Sequence, residues 1–304
     1  MAVYELTYKQ FLGKLTPDWN RFMVIPRHAF RDVFKSKLFT AFFVLCFIPL
    51  LIEAILIYLH HNVNALAIMK VNVRELLPID ASFFHTFVWL QNGFAFFVTL
   101  LVGPPLVARD LRNNALPLYL CRPFSRTEYV LGKLAVLMIL LSAMTWVPQL
   151  LLFAFQGYLE GATWFVDNIW MAGAIFMASV VWILLLSLMS LAISSLVKWR
   201  VIASAALLGL FFIPSVFGEV VNQLFRTRWG SLISLNANMR NVTAGLFGQF
   251  QQATTMISDF DGSNFTRVAL SEPPLWVSWM VLCLVSLACL ALLSRKVKAY
   301  EVVK

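Results

Sequence analysis

The sequence predicts an all-α integral membrane protein with six transmembrane helices. Three observations predict it. Of 304 residues, 60% are hydrophobic and 13% charged, against about 45–50% and about 25% in soluble domains. Six apolar runs reach spanning length. Lysine and arginine also concentrate in alternate connections between those runs.

The mean hydropathy of +0.78 and the 27 phenylalanines leave little room for a soluble enzyme or a disordered chain. A helix crosses the hydrocarbon with ~20 mostly apolar residues. The runs that meet this are 38–59, 83–102, 134–155, 169–197, 201–221 and 275–293. They lack the alternation of a membrane β-barrel, and helices satisfy their own backbone groups in lipid. The domain organisation read from them is a lead-in over 1–37 and a six-span domain over 38–304.

Residues 1–37 hold seven Lys and Arg and no apolar core of a signal peptide. The run at 38–59 therefore reads as a retained signal anchor. Before it, Phe22, Ile25, Ala29, Phe30, Val33 and Phe34 alternate with Arg27, Arg31, Asp32 and Lys35 on a helical period. With Pro26 at a favourable first position, this predicts an amphipathic helix lying at the membrane interface.

The segments 1–37, 108–133, 198–200 and 294–304 hold 18 of the 24 Lys and Arg residues, and the segments between them hold 6. Positive charge stays on the cytoplasmic side, so both termini are expected there, in the plasma (inner) membrane. The net charge of +9 is thus a topology signal, with anionic lipid head groups a second use and nucleic acid not a partner. Cys46, Cys121, Cys283 and Cys289 have no spacing of a disulfide framework or zinc site.

The outer connections differ in length. Residues 60–82 and 157–168 are short, the latter carrying Glu160 and Asp167. Residues 222–274 are too long for a structureless connection. There Leu232, Leu235, Met239, Val242, Leu246, Phe250, Ala253 and Ile257 recur every three or four positions. This predicts one or two amphipathic helices on, or dipping into, the outer interface. They would serve as a gate or a lid, with Gly245 and Gly248 weakening or bending them. Asn241-Val242-Thr243 and Asn264-Phe265-Thr266 match the glycosylation sequon.

No phosphate-binding loop is present. Gly13-Lys14 and Gly132-Lys133 lack the earlier glycine and the following Ser or Thr. His60, His61 and His85 are the only histidines near one another, and no nucleophile signature accompanies them. Polar residues within spans are costly unless paired or wetted. Glu53, Gln91, Asn92 and Gln149 fall within ~5 Å of one depth at ~1.5 Å per residue. They either fasten the bundle by hydrogen bonds or line a substrate path. Glu219 lies near an outer end, within reach of water. Pro49, Pro148 and Pro214 interrupt spans one, three and five as kinks or hinges, and Ala205-x-x-x-Gly209 permits close helix approach.

Residues 103–134 read GPPLVARDLRNNALPLYLCRPFSRTEYVLGKL. Gly103, Pro104 and Pro105 are expected to break the second span. Arg109, Asp110 and Arg112 then mark the cytoplasm. Leu116, Leu118, Tyr119 and Leu120 form an apolar patch, Arg122-Pro123 turns the chain, and Arg126 and Glu128 lead to the third span. This predicts a short amphipathic helix and turn held between two spans.

The segment resembles the inter-span segment of type-two ABC exporter permeases. That family has an acidic residue, Leu-rich positions, a proline, an arginine and then Gly-Lys, matched here by Asp110, Leu118, Leu120, Pro123, Arg126, Gly132 and Lys133. Where the family often has Gly-Thr, this chain has Asn113-Asn114-Ala115. The resemblance implies that 108–133 is a coupling helix docking on a separate ATP-binding subunit. It implies two permease copies, identical or different, around a substrate path. ATP and magnesium would sit on the partner and no cofactor or metal on this chain, which would be no enzyme itself. Two other classes remain open: a membrane-embedded enzyme acting on lipid or peptide through Glu53, His60, His61 and His85, and an ion-coupled secondary transporter.

Overall fold

The computed structural model describes residues 23–62, 78–113, 126–225, 227–249, 254–258, 265–269 and 273–296. Six helices are long and apolar enough to span a membrane: Lys37–His61, Ala81–Arg112, Thr127–Glu160, Ile169–Leu196, Arg200–Phe225 and Leu275–Arg295. The end carrying Arg112, Lys133 and Lys198 is here the basic end, and the end carrying Asp80 and Glu160 the far end. A lead-in helix, Val24–Phe34, packs along the third span.

The fourth span is the axis of the bundle. In its most apolar stretch 72% of residues are buried, against 22% in the fifth and sixth spans. A helix apolar on every side has no face to give to water. Leu185 to Ala192 are all buried against its neighbours, chiefly the second span.

Prolines shape the other spans in two ways. The first span consists of the helices Lys37–Leu45 and Ile48–His61, and the third of Arg126–Met144 and Trp146–Glu160. Each break falls a few residues before a proline, Pro49 or Pro148, because the ring removes an N–H and crowds the preceding turn. The second span behaves differently from expectation. Gly103, Pro104 and Pro105 do not end it, and the helix runs unbroken from Ala81 to Arg112. Hydroxyls from two neighbours fasten the helix around the prolines. Ser194 accepts from the Ala108 N–H at 2.8 Å and donates to the Pro104 carbonyl at 2.5 Å. Ser204 donates to the Leu100 carbonyl at 3.2 Å, the acceptor that Pro104 leaves unbonded.

The connection after the fifth span folds back into the bundle. The backbone of Gly230 lies against Gly218, where a Cβ on either residue would overlap the other's carbonyl oxygen. The Ser234 and Ser215 hydroxyls are then 2.8 Å apart. Ser215 precedes Phe225 by ten residues, a depth of ~15 Å. From there the helix Leu235–Leu246 climbs back. It buries Met239 and Val242 among the spans and passes Arg240 over the Trp89 ring and Phe247 beside His85.

This re-entrant helix is shorter than the periodic face suggested. It stops at Leu246, and Ile257 belongs to a strand. Gly248, at φ +66°, occupies the left-handed position that closes a helix. The Gln249 N–H bonds the Ala244 carbonyl and the Gly248 N–H bonds that of Gly245. Thr254–Ser258 and Phe265–Ala269 then pair antiparallel, Thr254 opposite Ala269. Phe250 and Ala253 lie outside the described residues, as do Asn264 of one sequon, His60-side loop residues 63–77 and the central part of the 108–133 segment.

Candidate functional site

Two polar groups and one cleft carry the chemistry of the bundle. At the basic end, Asp110 lies in the last turn of the second span and Lys133 near the start of the third. Their charged groups meet at 2.8 Å. Tyr129, one turn before Lys133, donates its hydroxyl to the same Asp110 oxygen at 2.8 Å, and the Lys133 ammonium stands 5.5 Å from the Tyr129 ring centre. Lys133 and Tyr129 are buried, as is Gly132 between them. An ion pair removed from water holds only with such added hydrogen bonds.

Other residues of this segment lie outward. Arg109 and Arg112 are exposed, and Arg112 sits over the Trp199 ring at 5.4 Å. Glu128 is half-buried in the first turn of the third span, which Arg126 opens. Leu118, Leu120, Arg122 and Pro123 lie outside the described residues.

In the far half of the bundle, Gln149 donates to Glu53 at 2.9 Å, and both are buried. Gln91 reaches both broken spans. Its amide nitrogen donates to the Cys46 carbonyl at 3.1 Å and to the Met144 carbonyl at 2.6 Å. Met144 is four residues before Pro148, so its carbonyl is the one that the ring deprives of a helix bond. One oxygen each of Glu53, Gln91 and Gln149 has no hydrogen-bond partner. Three of the four expected path residues are thus gathered between spans one, two and three. Asn92, the next residue after Gln91, faces another way.

Asn92 lines a cleft of ≈ 310 Å³ between the second, fourth and fifth spans, with Trp89, Phe96, Trp182, Phe211 and, from the re-entrant helix, Asn236. The Trp182 ring N–H donates to the Asn92 backbone carbonyl at 2.8 Å. Sequence reasoning missed these aromatics, since Phe and Trp in an apolar run carry no positional signal. It also missed Tyr129, although its i, i+4 spacing to Lys133 was a readable one.

At the far end, His61 bonds Glu160 at 2.7 Å, and the His60 and His61 rings lie 5.2 Å apart. His85 packs on Phe247 instead. Among the described residues no three His, Cys, Asp or Glu gather into a metal-binding group. Glu219 is exposed.

A search of curated proteins finds no match to this chain. A family model described as ABC-2 family transporter protein matches residues 23–293, from the lead-in helix to the last turns of the sixth span. With six spans, and with the acidic and Gly-Lys positions of the inter-span segment joined in one ion pair, the chain belongs to the ABC-2 transporter permeases, as the membrane subunit of an ABC transporter.

Proposed function

We propose that this subunit is the passive half of an ATP-driven exporter. Two copies, identical or different, enclose the substrate path, and a separate ATP-binding subunit with its ATP and magnesium docks on residues 108–133. The basic end faces the cytoplasm, since most Lys and Arg lie on that side. Both termini follow it there, in the plasma (inner) membrane.

The observation that carries the reading is the Asp110–Lys133–Tyr129 cluster. It ties together the two ends of the segment that resembles a coupling helix. A push on a loop whose ends are fastened to two long helices moves those helices; on a loosely held loop it is lost. The far-half residues Glu53, Gln91, Asn92 and Gln149, together with the proline breaks, are where such a movement meets the substrate.

Charge reversal at both Arg122 and Arg126 tests the docking. The doubly reversed chain is expected to insert normally but to retain less than about a tenth of the ATP-binding subunit on affinity purification, the loss of several charge-assisted contacts. Undiminished recovery of that subunit removes the coupling role of the segment.

A further inference from the structure

The Asn92 side chain is 1% exposed, yet neither its amide nitrogen nor its oxygen has a hydrogen-bond partner. A buried amide left unpaired costs roughly 1–3 kcal/mol. This one belongs to the wall of a cleft of ≈ 310 Å³, near the lower bound of small-molecule sites, about 300 Å³. The Trp182 N–H is already used on the Asn92 backbone, and both Asn92 amide atoms are covered as well as unpartnered, so the side chain meets an occupant of the cleft by turning its amide toward it.

The rest of the lining limits what it receives. Trp89, Phe96, Trp182 and Phe211 supply apolar faces, and no Asp, Glu, Lys, Arg or His lines the cleft. Arg240 stands over the Trp89 ring without joining the lining. An anion entering here would lose its hydration with no opposite charge to meet, and a quaternary ammonium, though attracted by aromatic faces, has no hydrogen bond to give Asn92. Aromatic walls instead favour an apolar body.

We propose that the cleft is a binding site for a neutral, mainly apolar molecule bearing one amide- or hydroxyl-type group, which pairs with Asn92. The proposal rests on the permease reading and names the substrate class for its path. Asn236 brings the tip of the re-entrant helix to the same cleft, so occupancy and the position of that helix are linked.

The test uses the full chain with its co-purified ATP-binding subunit in phosphatidylcholine nanodiscs. Three photoreactive probes share a diazirine-bearing decyl chain and differ in head group: primary amide, carboxylate or trimethylammonium. Cross-linked peptides are mapped by mass spectrometry. The amide probe is expected to label the 89–97 and 211–215 stretches about tenfold more than either charged probe, the factor one buried hydrogen bond supplies. Asn92→Leu is expected to remove that advantage. Gly93→Leu, placed in the cleft wall where an added Cβ meets nothing within 4 Å, puts a side chain into the cleft and lowers amide labelling by a similar factor. Equal labelling by the three heads, or unchanged labelling in Gly93→Leu, overturns the proposal and leaves a wetted or lipid-facing groove. Labelling that fails while the ATP-binding subunit still co-purifies sinks this inference alone; absence of that subunit sinks the permease reading beneath it.

Discussion

The ion-pair cluster at the basic end and the polar groups in the far half of the bundle are built to different standards. At the basic end Asp110 meets both Lys133 and Tyr129. In the same helix the Ser204 hydroxyl takes up the carbonyl that Pro104 orphans, and Ser194 bridges the turn that follows. In the far half, Glu53, Gln91 and Gln149 each keep an oxygen without a partner, and Asn92 lacks partners on both sides of its amide. The prolines of the first and third spans leave real breaks, fastened by a single shared side chain, Gln91. Fully partnered polar clusters rigidify, and partly partnered ones are the places a structure gives way or takes a ligand. One end of the molecule is a stiff handle, and the middle is the part able to rearrange.

The largest expected effect comes from breaking the handle. Lys133→Met leaves the partly buried Asp110 carboxylate with the Tyr129 hydroxyl alone, and removing one partner of such a pair costs about 3 kcal/mol. Thermal unfolding of the purified complex should register it as a clear fall in Tm. The double variant Asp110→Asn with Lys133→Met removes both charges and should regain most of that loss, because two neutral groups need no counterion. A double variant as unstable as the single one would mean that packing around Lys133, and not its charge, holds the two spans together.

The six spans were legible because a continuous apolar run of spanning length is the strongest pattern a sequence carries. The breaks in the first and third spans were announced by Pro49 and Pro148. The continuity of the second was hidden, since Pro104 and Pro105 look like a stop and the serines that rescue the helix lie about 90 and 100 residues further on. The return of residues 229–246 into the bundle was half visible. Its periodic face predicted a helix, but the pattern carried on to Ile257 past Gly248, whose left-handed backbone ends the helix. Of the candidate path, Glu53, Gln91 and Gln149 could be matched in depth by counting residues along each span. That Asn92 turns away from them into an aromatic cleft could not. Adjacent helical residues point ~100° apart, and which direction meets a neighbour is decided by packing.

A second, smaller effect probes the middle. Gln91→Leu strips the donor from two backbone carbonyls at once, a loss of about 2 kcal/mol for buried acceptors left unmet. Pro148→Ala supplies an N–H four residues after Met144, where a helix bond to that carbonyl can form. The pair Gln91→Leu with Pro148→Ala should therefore recover about half of the loss in Tm. If Pro148→Ala lowers stability equally in both backgrounds, Gln91 is not the fastening of that break, and the contrast between a mended span and a clamped one disappears.

The smallest effect is expected from another charged pair near the handle. On the lead-in helix, Lys35 donates to Asp32 at 2.9 Å, with both side chains mostly exposed. The Lys35 hydrogen bond, and then its charge, hold the Asp32 carboxyl below its ordinary value of 3.8. A carboxylate whose pKa is lowered by folding stabilises fully above its ordinary value and loses that contribution only as the pH falls through the lowered one. Across pH 5–8 the pair therefore adds no pH dependence, and water and salt screen what remains. Lys35→Met should leave Tm unchanged at neutral pH and physiological salt, with the same profile as the parent from pH 5 to 8. The distance in Asp32–Lys35 is within 0.1 Å of that in Asp110–Lys133, so a flat result beside a large loss in Lys133→Met assigns the difference to burial. A comparable loss in both variants would assign it to net positive charge at this end, and the handle would be an electrostatic surface instead of a fastened joint.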